Sequence, residues 1–175
     1  MSKPLYEQDF VRWTEEQARA IRDAAAARTN LPIDWENVAE EIESLGRSQR
    51  TELSNRLRNI IVHLMKLEAS PVTDPRRGWQ ETVVVQRGDI KGVLDNSPSL
   101  RREIPGLIAL VLPRARLEAS GILALWGEQP RIDLDSVQYT EAQVLGDWSP
   151  DAPGPVSRAK ERRRPGKRPV GPRSR

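Results

Sequence analysis

The sequence predicts an all-α protein: a helical bundle of about four to five main helices followed by an irregular C-terminal extension. Three observations lead there. Apolar residues between 35 and 67 recur at spacings of three and four, the period of one helix face. Aspartate or asparagine precedes such runs and proline closes them, as caps and stops do. The single β-branched run, residues 83–85, has no alternating partner strand nearby.

The first helix is predicted over residues 9–28. Asp9 is its N-cap, since a carboxylate accepts the free amide donors of a first turn. Phe10, Trp13, Ile21 and Ala24 share a face, while Glu15, Glu16, Arg19 and Arg22 stay wet. Asn30-Leu31-Pro32 ends it, because Pro32 disfavours a helical Leu31. Asp34 caps the next segment. There Trp35, Val38, Ile42 and Leu45 are spaced 3, 4, 3, and Leu53, Leu57, Ile60, Leu64 and Leu67 are spaced 4, 3, 4, 3. The phase slips between Leu45 and Leu53, where Gly46 and the polar run 47–51 stand. A bend or break is expected at the slip, with Ser48 as a second cap; a single bent helix is the alternative.

Pro71 closes that segment. Trp79, Val83, Val84, Ile90, Val93 and Leu94 then predict a third amphipathic helix, weakened by Gly88 and Gly92. Asn96-Ser97-Pro98 pairs a cap with proline at a first helical position and predicts a short helical turn ending before Pro105. The last main helix is expected over residues 106–125, kinked or split at Pro113. Past residue 127 the periodicity fades, and 132–139 alternates enough for a short extended piece. The expected organisation is a bundle domain over 4–126, an irregular extension over 127–150, and a tail over 151–175. The tail is rich in Pro, Gly and Arg and lacks the apolar surface to offset chain entropy, so disorder is expected there.

Charge is divided unevenly. The 175-residue chain carries 28 Lys/Arg and 25 Asp/Glu, a net of +3. Residues 151–175 hold nine of those bases and two acids, which is +7 and leaves −4 for residues 1–150. The isoelectric point of 9.6 is thus a property of the tail and says nothing of nucleic-acid binding by the folded part. Absence of cysteine excludes disulfides and thiolate zinc sites and fits a reducing compartment. The N-terminus has no apolar signal core. The longest apolar run, 104–112, is nine residues long and contains Pro105 and Gly106, whereas a membrane span needs about 20. A soluble, cytoplasmic protein with no membrane partner is expected.

Two groups of residues are candidates for chemistry. Glu36, Glu40, Glu43 and Arg47 are spaced 4, 3, 4 on one helix flank. Clustered carboxylates bind a divalent cation or raise one another's pKa for acid–base work; equally, such a run is a solvated face with a Glu43–Arg47 ion pair. His63, the chain's one imidazole, shares a flank with Arg56, Asn59 and Lys66. It is a metal ligand or general base if it faces the glutamates across a helix pair, and a satisfied core-margin histidine otherwise. A ferritin-like centre needs two Glu-x-x-His pairs; position 60 is Ile and no second His exists, so that design and a three-His zinc site are excluded. No phosphate loop, dinucleotide fingerprint or nucleophile elbow is present. Trp13, Trp35 and Trp79 read as core or staple residues, and Trp126 and Trp148 as partner anchors if exposed.

Tyr6-Glu7-Gln8-Asp9-Phe10, Asp34-Trp35-Glu36-Asn37, the run Glu40-Glu41-Ile42-Glu43-Ser44-Leu45-Gly46-Arg47-Ser48, His63-Leu64-Met65-Lys66, and Asp95-Asn96-Ser97-Pro98-Ser99-Leu100 together resemble the domain-of-unknown-function family 29, over about residues 4–125. The resemblance implies an all-α bacterial protein and no particular reaction. Pro113 and everything after residue 125 depart from the family's pattern.

The expected function is a small interaction or regulatory module that presents the acidic flank Glu36/Glu40/Glu43 and its helix ends to a protein or nucleic-acid partner. The alternative is an acid–base or metal-dependent enzyme using Glu40, Glu43, His63 and Tyr6, with a divalent metal as the possible cofactor and no other cofactor implied. A third reading is salt-sensitive nucleic-acid binding through the tail, with Arg162, Arg163, Arg164, Lys167 and Arg168 as contacts.

Overall fold

The computed structural model describes residues 3–27 and 31–150. Among them stand six helices: α1 (Leu5–Gln8), α2 (Phe10–Ala26), α3 (Trp35–Ala69), α4 (Arg76–Asn96), α5 (Ile104–Leu125) and α6 (Glu141–Leu145). Short 3-10 turns at Pro98–Glu103 and Leu134–Ser136 complete the described secondary structure, which contains no strand. The all-α expectation holds.

The local signals act as their chemistry dictates. Asp9 caps α2 by accepting from the Arg12 amide at 3.0 Å, and Asp34 caps α3 by accepting from the Asn37 amide at 3.3 Å. Val83 is buried while Val84 and Val85 are exposed, a helical rather than an alternating pattern.

The expected break at Gly46 is absent: α3 runs 35 residues without interruption, and Ser48 donates to the Ser44 carbonyl one turn back instead of capping. The slip vanishes once small residues are counted. Ala39, Gly46, Leu53, Ile60 and Leu67 are all buried and lie seven residues apart, one continuous line along the helix. Its first half is made of residues too small to stand out as hydrophobic. Gly46 is required there by contact: a Cβ at that position would lie 2.5 Å from Thr14 Oγ1 of α2.

At about 1.5 Å per residue α3 is about 52 Å long, against about 33 Å for α5, which has 22 residues. No single neighbour covers it. α2 packs on its N-terminal half, α4 and α5 on its C-terminal half. Arginines of α3 fasten each neighbour: Arg50 to Glu15 of α2 and to Glu103, Arg56 to Asp89 of α4, and Arg58 to Glu118 of α5.

Two further expectations change. α5 is not split at Pro113, which lies inside the continuous helix. The amide that proline lacks would have bonded the Ala109 carbonyl, and both residues are exposed, which leaves that oxygen on the solvent side of the helix. Residues 127–150, expected outside the bundle, supply Leu134, Tyr139 and Val144 to the core. Side chains hold this strap by its carbonyls: Arg87 donates to Gln143, Val144 and Trp148 at 2.7–2.9 Å, and Arg116 to Val137 at 2.7 Å. Periodicity could not reveal a segment anchored this way.

The close approach of α2 and α3 is testable. Gly46→Ala should destabilise the protein by about 1–3 kcal/mol through overpacking, although alanine is the better helix former by about 1 kcal/mol. Thr14→Ala/Gly46→Ala should regain most of that loss in a denaturant double-mutant cycle. Additive losses would show that the contact is not what requires glycine.

Candidate functional site

The acidic flank is real, and its charges are neutralised within the chain. Arg22 of α2 lays its guanidinium fork across α3. It donates to both carboxylate oxygens of Glu43 at 2.7 and 3.1 Å and to Glu36 at 3.1 Å, with Glu40 at 3.9 Å. Arg47 bonds Glu40 and lies 3.7 Å from Glu43. The hydrogen bonds from Arg22 hold the Glu43 carboxyl below the usual carboxylate range and raise the Arg22 guanidinium. This is a pattern of carboxylates paired with guanidiniums, which lowers the Glu43 carboxyl where like-charge repulsion would raise it.

His63 does not meet these glutamates. Glu43 and His63 are twenty residues apart on one unbroken helix, which separates them by about 30 Å. The expected convergence across a helix pair needed the break at Gly46, and without it the two groups stand at opposite ends of a rod. Tyr6 is remote from the glutamates too. It precedes the N-terminus of α2 and packs edge-on against Phe10 and Trp13, while Arg22 meets the glutamates about three turns into that helix. Among the described residues, no group of three or more His, Cys, Asp or Glu could hold a metal ion. Arg162, Arg163, Arg164, Lys167 and Arg168 lie outside the described residues.

His63 belongs to a different cluster, at the C-terminal half of α3. Its Nδ1 lies 2.9 Å from the Asn59 carbonyl, an acceptor only, so Nδ1 carries the proton and Nε2 the lone pair. Burial lowers the His63 pKa, and the nearby charge of Lys66 lowers it further against the raising effects of the Asn59 carbonyl and Glu118. Lys66 is only 5% exposed. Its Nζ sits 5.0 Å from the ring centre of Trp79 and 5.6 Å from that of Trp126, two indoles stacked at an angle of 1°. Desolvation lowers the Lys66 pKa, and Glu118 partly offsets this.

Other motif residues are spent on structure. The Asp9 carboxylate accepts from the Ser99 amide at 2.7 Å and the Ser99 hydroxyl at 2.8 Å, besides capping α2, and the Ser97 hydroxyl accepts from the Val11 amide at 3.3 Å. One exchange of caps thus staples the start of α2 to the α4–α5 turn. Trp148 is partly buried against the core beside Tyr139, so of the two expected anchors only Trp126, 47% exposed, faces solvent.

Sequence reasoning missed Arg22, Lys66 and Glu118. Arg22 gave a signal: an arginine two turns from the acidic flank in a predicted hairpin is within fork reach of it. Lys66 gave none, because lysine on a helix flank is ordinarily solvated.

This chain belongs to the family described as Domain of unknown function DUF29, which matches residues 5–147. The match extends through the strap, beyond the bundle boundary expected at 126. The chain is also similar to an alpha-helical protein of unknown function from Rhodospirillum rubrum, known from a crystal structure at 1.45 Å resolution. The two are 27% identical with a TM-score of 0.68, over 83% of this chain and 92% of that one. No curated protein matches the chain. Among the described residues, no helix is long and apolar enough to cross a membrane.

Two pH profiles check this geometry. Glu43 is held low in the folded state, so its contribution to stability is present above the ordinary carboxylate range and lost as pH falls through its folded value. Arg22→Gln should flatten the fall in Tm between pH 5 and 3, roughly the range where glutamates titrate, and 1 M NaCl should mimic it. His63 is likewise depressed: the unfolded chain takes up its proton first, and stability falls as pH drops below about 6.5. His63→Asn keeps a donor for the Asn59 carbonyl, removes the titrating ring, and should abolish that slope in denaturant melts between pH 7 and 5.

Proposed function

We propose that this protein is an interaction module whose docking surface is the apolar face of the α2–α3 hairpin. The observation that supports this reading is the fate of the Trp35-Val38-Ile42-Leu45 stripe. It is the clearest helical stripe in the N-terminal half of the chain, and the fold leaves it largely open: Val38 is 41% and Leu45 48% exposed, and Trp35 and Ile42 are only half-buried. Leu31 and Ile33, in the segment leading into α3, are also exposed, at 58% and 43%. Contiguous apolar surface of this kind on one helix face is a recognition feature rather than ordinary scatter.

The hairpin has two unlike sides. Glu36, Glu40 and Glu43 are matched by Arg22 and Arg47 on one. On the other, Asp34 and Glu41 border the apolar stripe, and among the described residues neither has an ion-pair partner. The occupant this combination favours is an amphipathic helix of a protein partner, apolar on one face and flanked by Lys or Arg. The acidic flank expected to meet a partner is thus engaged internally, and the opposite side of the same helix takes that role.

The test is a titration of the full chain with a synthetic Leu/Lys amphipathic helix, read by tryptophan fluorescence. Binding should weaken with salt, and Val38→Ser/Leu45→Ser should reduce it at least about tenfold while stability moves by less than about 0.5 kcal/mol, since both residues are exposed. Equal binding of a Leu/Glu peptide would overturn the charge assignment. Concentration-dependent dimerisation that the double variant abolishes would overturn the partner and assign the face to a second copy.

A further inference from the structure

Between α4, the 98–103 turn and the strap lies a recess of about 220 Å³. Three of its lining residues are cations, Arg87, Lys91 and Arg101, three are apolar, Ile90, Leu94 and Leu145, and none is acidic. Residues 1–150 carry a net charge of −4, so this grouping runs against the charge of the segment that holds it. Ile90 and Leu94, 1% and 4% exposed, give the recess an apolar base. Arg87 and Lys91 stand at i, i+4 on one face of α4, a like-charge pair that weakens a helix. Arg87 is fixed by the strap: its Nε donates to the Val144 carbonyl, and its Nη2 to the Gln143 and Trp148 carbonyls. These acceptors orient the guanidinium without neutralising it, and among the described residues its Nη1 makes no hydrogen bond. Burial lowers the Arg87 pKa, and the charge of Asp147 offsets this only in part. Lys91 is exposed and, among the described residues, has no ion-pair partner. Arg101 meets Asp95 at 3.5 Å, in a contact exposed on both sides and screened by solvent. Asp95 and Asp147 are thus the acids that act on these cations, and neither lines the recess.

We propose that this recess binds a small aliphatic carboxylate, its anionic head set among Arg87, Lys91 and Arg101 and its apolar body against Ile90, Leu94 and Leu145. Guanidinium donors match the geometry of a carboxylate, and Lys91 adds a mobile point charge. The volume equals that of about seven water molecules at about 30 Å³ each, the bulk of a carboxylate bearing a four-carbon chain. It falls below the roughly 300 Å³ at which pockets for drug-sized ligands begin. A bound anion relieves the repulsion between Arg87 and Lys91 and joins α4 to the strap through the guanidinium that the strap already orients. None of these residues belongs to the apolar face of the α2–α3 hairpin, so the two sites stand or fall separately.

Sodium pentanoate, titrated at pH 7 and constant ionic strength into the isotope-labelled full chain, tests this through amide chemical shifts. The shifts should cluster at residues 87–94, 99–103 and 143–147 and saturate with a Kd of about 1 mM or below, within what about seven non-hydrogen atoms can provide. Pentan-1-ol and pentylammonium, which keep the body and lack the anionic head, should bind at least about tenfold more weakly, and so should inorganic phosphate, which has the charge and no body. Lys91→Gln/Arg101→Gln should weaken pentanoate by at least about tenfold, the loss expected for two charged partners. Both side chains are exposed, so the variant should fold as the wild type does. Arg102→Gln removes a charge from the same turn without touching the recess and should leave the Kd unchanged. Shifts that do not saturate or that lie elsewhere overturn the proposal. So does pentanol or phosphate binding as tightly as pentanoate, and so does a double variant that binds as well as the wild type.

Discussion

The unbroken hydrogen-bonded ladder of α3 is the constraint from which the rest of this structure follows. A 35-residue helix exceeds every other helix among the described residues, so its surface is shared among several. The line Ala39-Gly46-Leu53-Ile60-Leu67 lets it change partners without changing face: small residues admit α2 at close range, then larger ones receive α4 and α5. Gly46 would ordinarily weaken a helix interior by about 1 kcal/mol. Here the missing side chain is what brings Thr14 to the helix surface, and the packing gained over the length of α2 offsets that cost. Had the helix broken there, two short helices could have folded back on one another, and the acidic flank could have faced His63.

Length also decides what stays uncovered. Together α4, α5 and the strap bury the C-terminal half of α3 nearly completely, with residues 60–67 buried except for His63. The N-terminal half has one main helical neighbour, α2, which covers only one side of it. Two sides of that half therefore face solvent. Residue chemistry distinguishes them: one side is a lattice of carboxylates and guanidiniums that completes its own charge balance, the other an apolar strip with uncompensated acids at its edge. A self-neutralised face has little left to offer a partner, because each new contact must first break an existing one. The apolar side has no such competition.

Helix positions were legible in the sequence wherever a cap or a stripe of large residues marked them: Asp9, Asp34 and Pro98 each stand where an element begins. Three things were not. The continuity of α3 was hidden because hydrophobic periodicity registers side-chain size, and Ala39 and Gly46 have almost none. The strap over 127–150 was hidden because its anchors are arginine bonds to backbone carbonyls, which leave no periodic trace. Passage of α5 through Pro113 depended on which side of the helix the lost carbonyl partner faces, a property of the assembled bundle. The candidate site inherited the first error: the residues proposed for chemistry were polar groups with a real local setting, joined by a turn in the chain that does not exist.

What the resemblance-bearing segments do in the fold narrows where activity can reside. Asp9 and the 95–100 segment are consumed in a mutual cap, Asp34 in capping α3, and Glu40, Glu43 and Arg47 in the ion lattice with Arg22. In each, the polar atoms are matched to other polar atoms, and their presence is explained by the stability they confer. His63-Leu64-Met65-Lys66 is different. Leu64 and Met65 are wholly buried and serve the core, while His63 is held by the Asn59 carbonyl and Lys66 lies over the Trp79 and Trp126 rings at the margin of that core. A largely buried cation costs stability that an apolar residue of similar size would not. The stacked indoles recover part of that cost and cannot supply the hydrogen bonds an ammonium prefers.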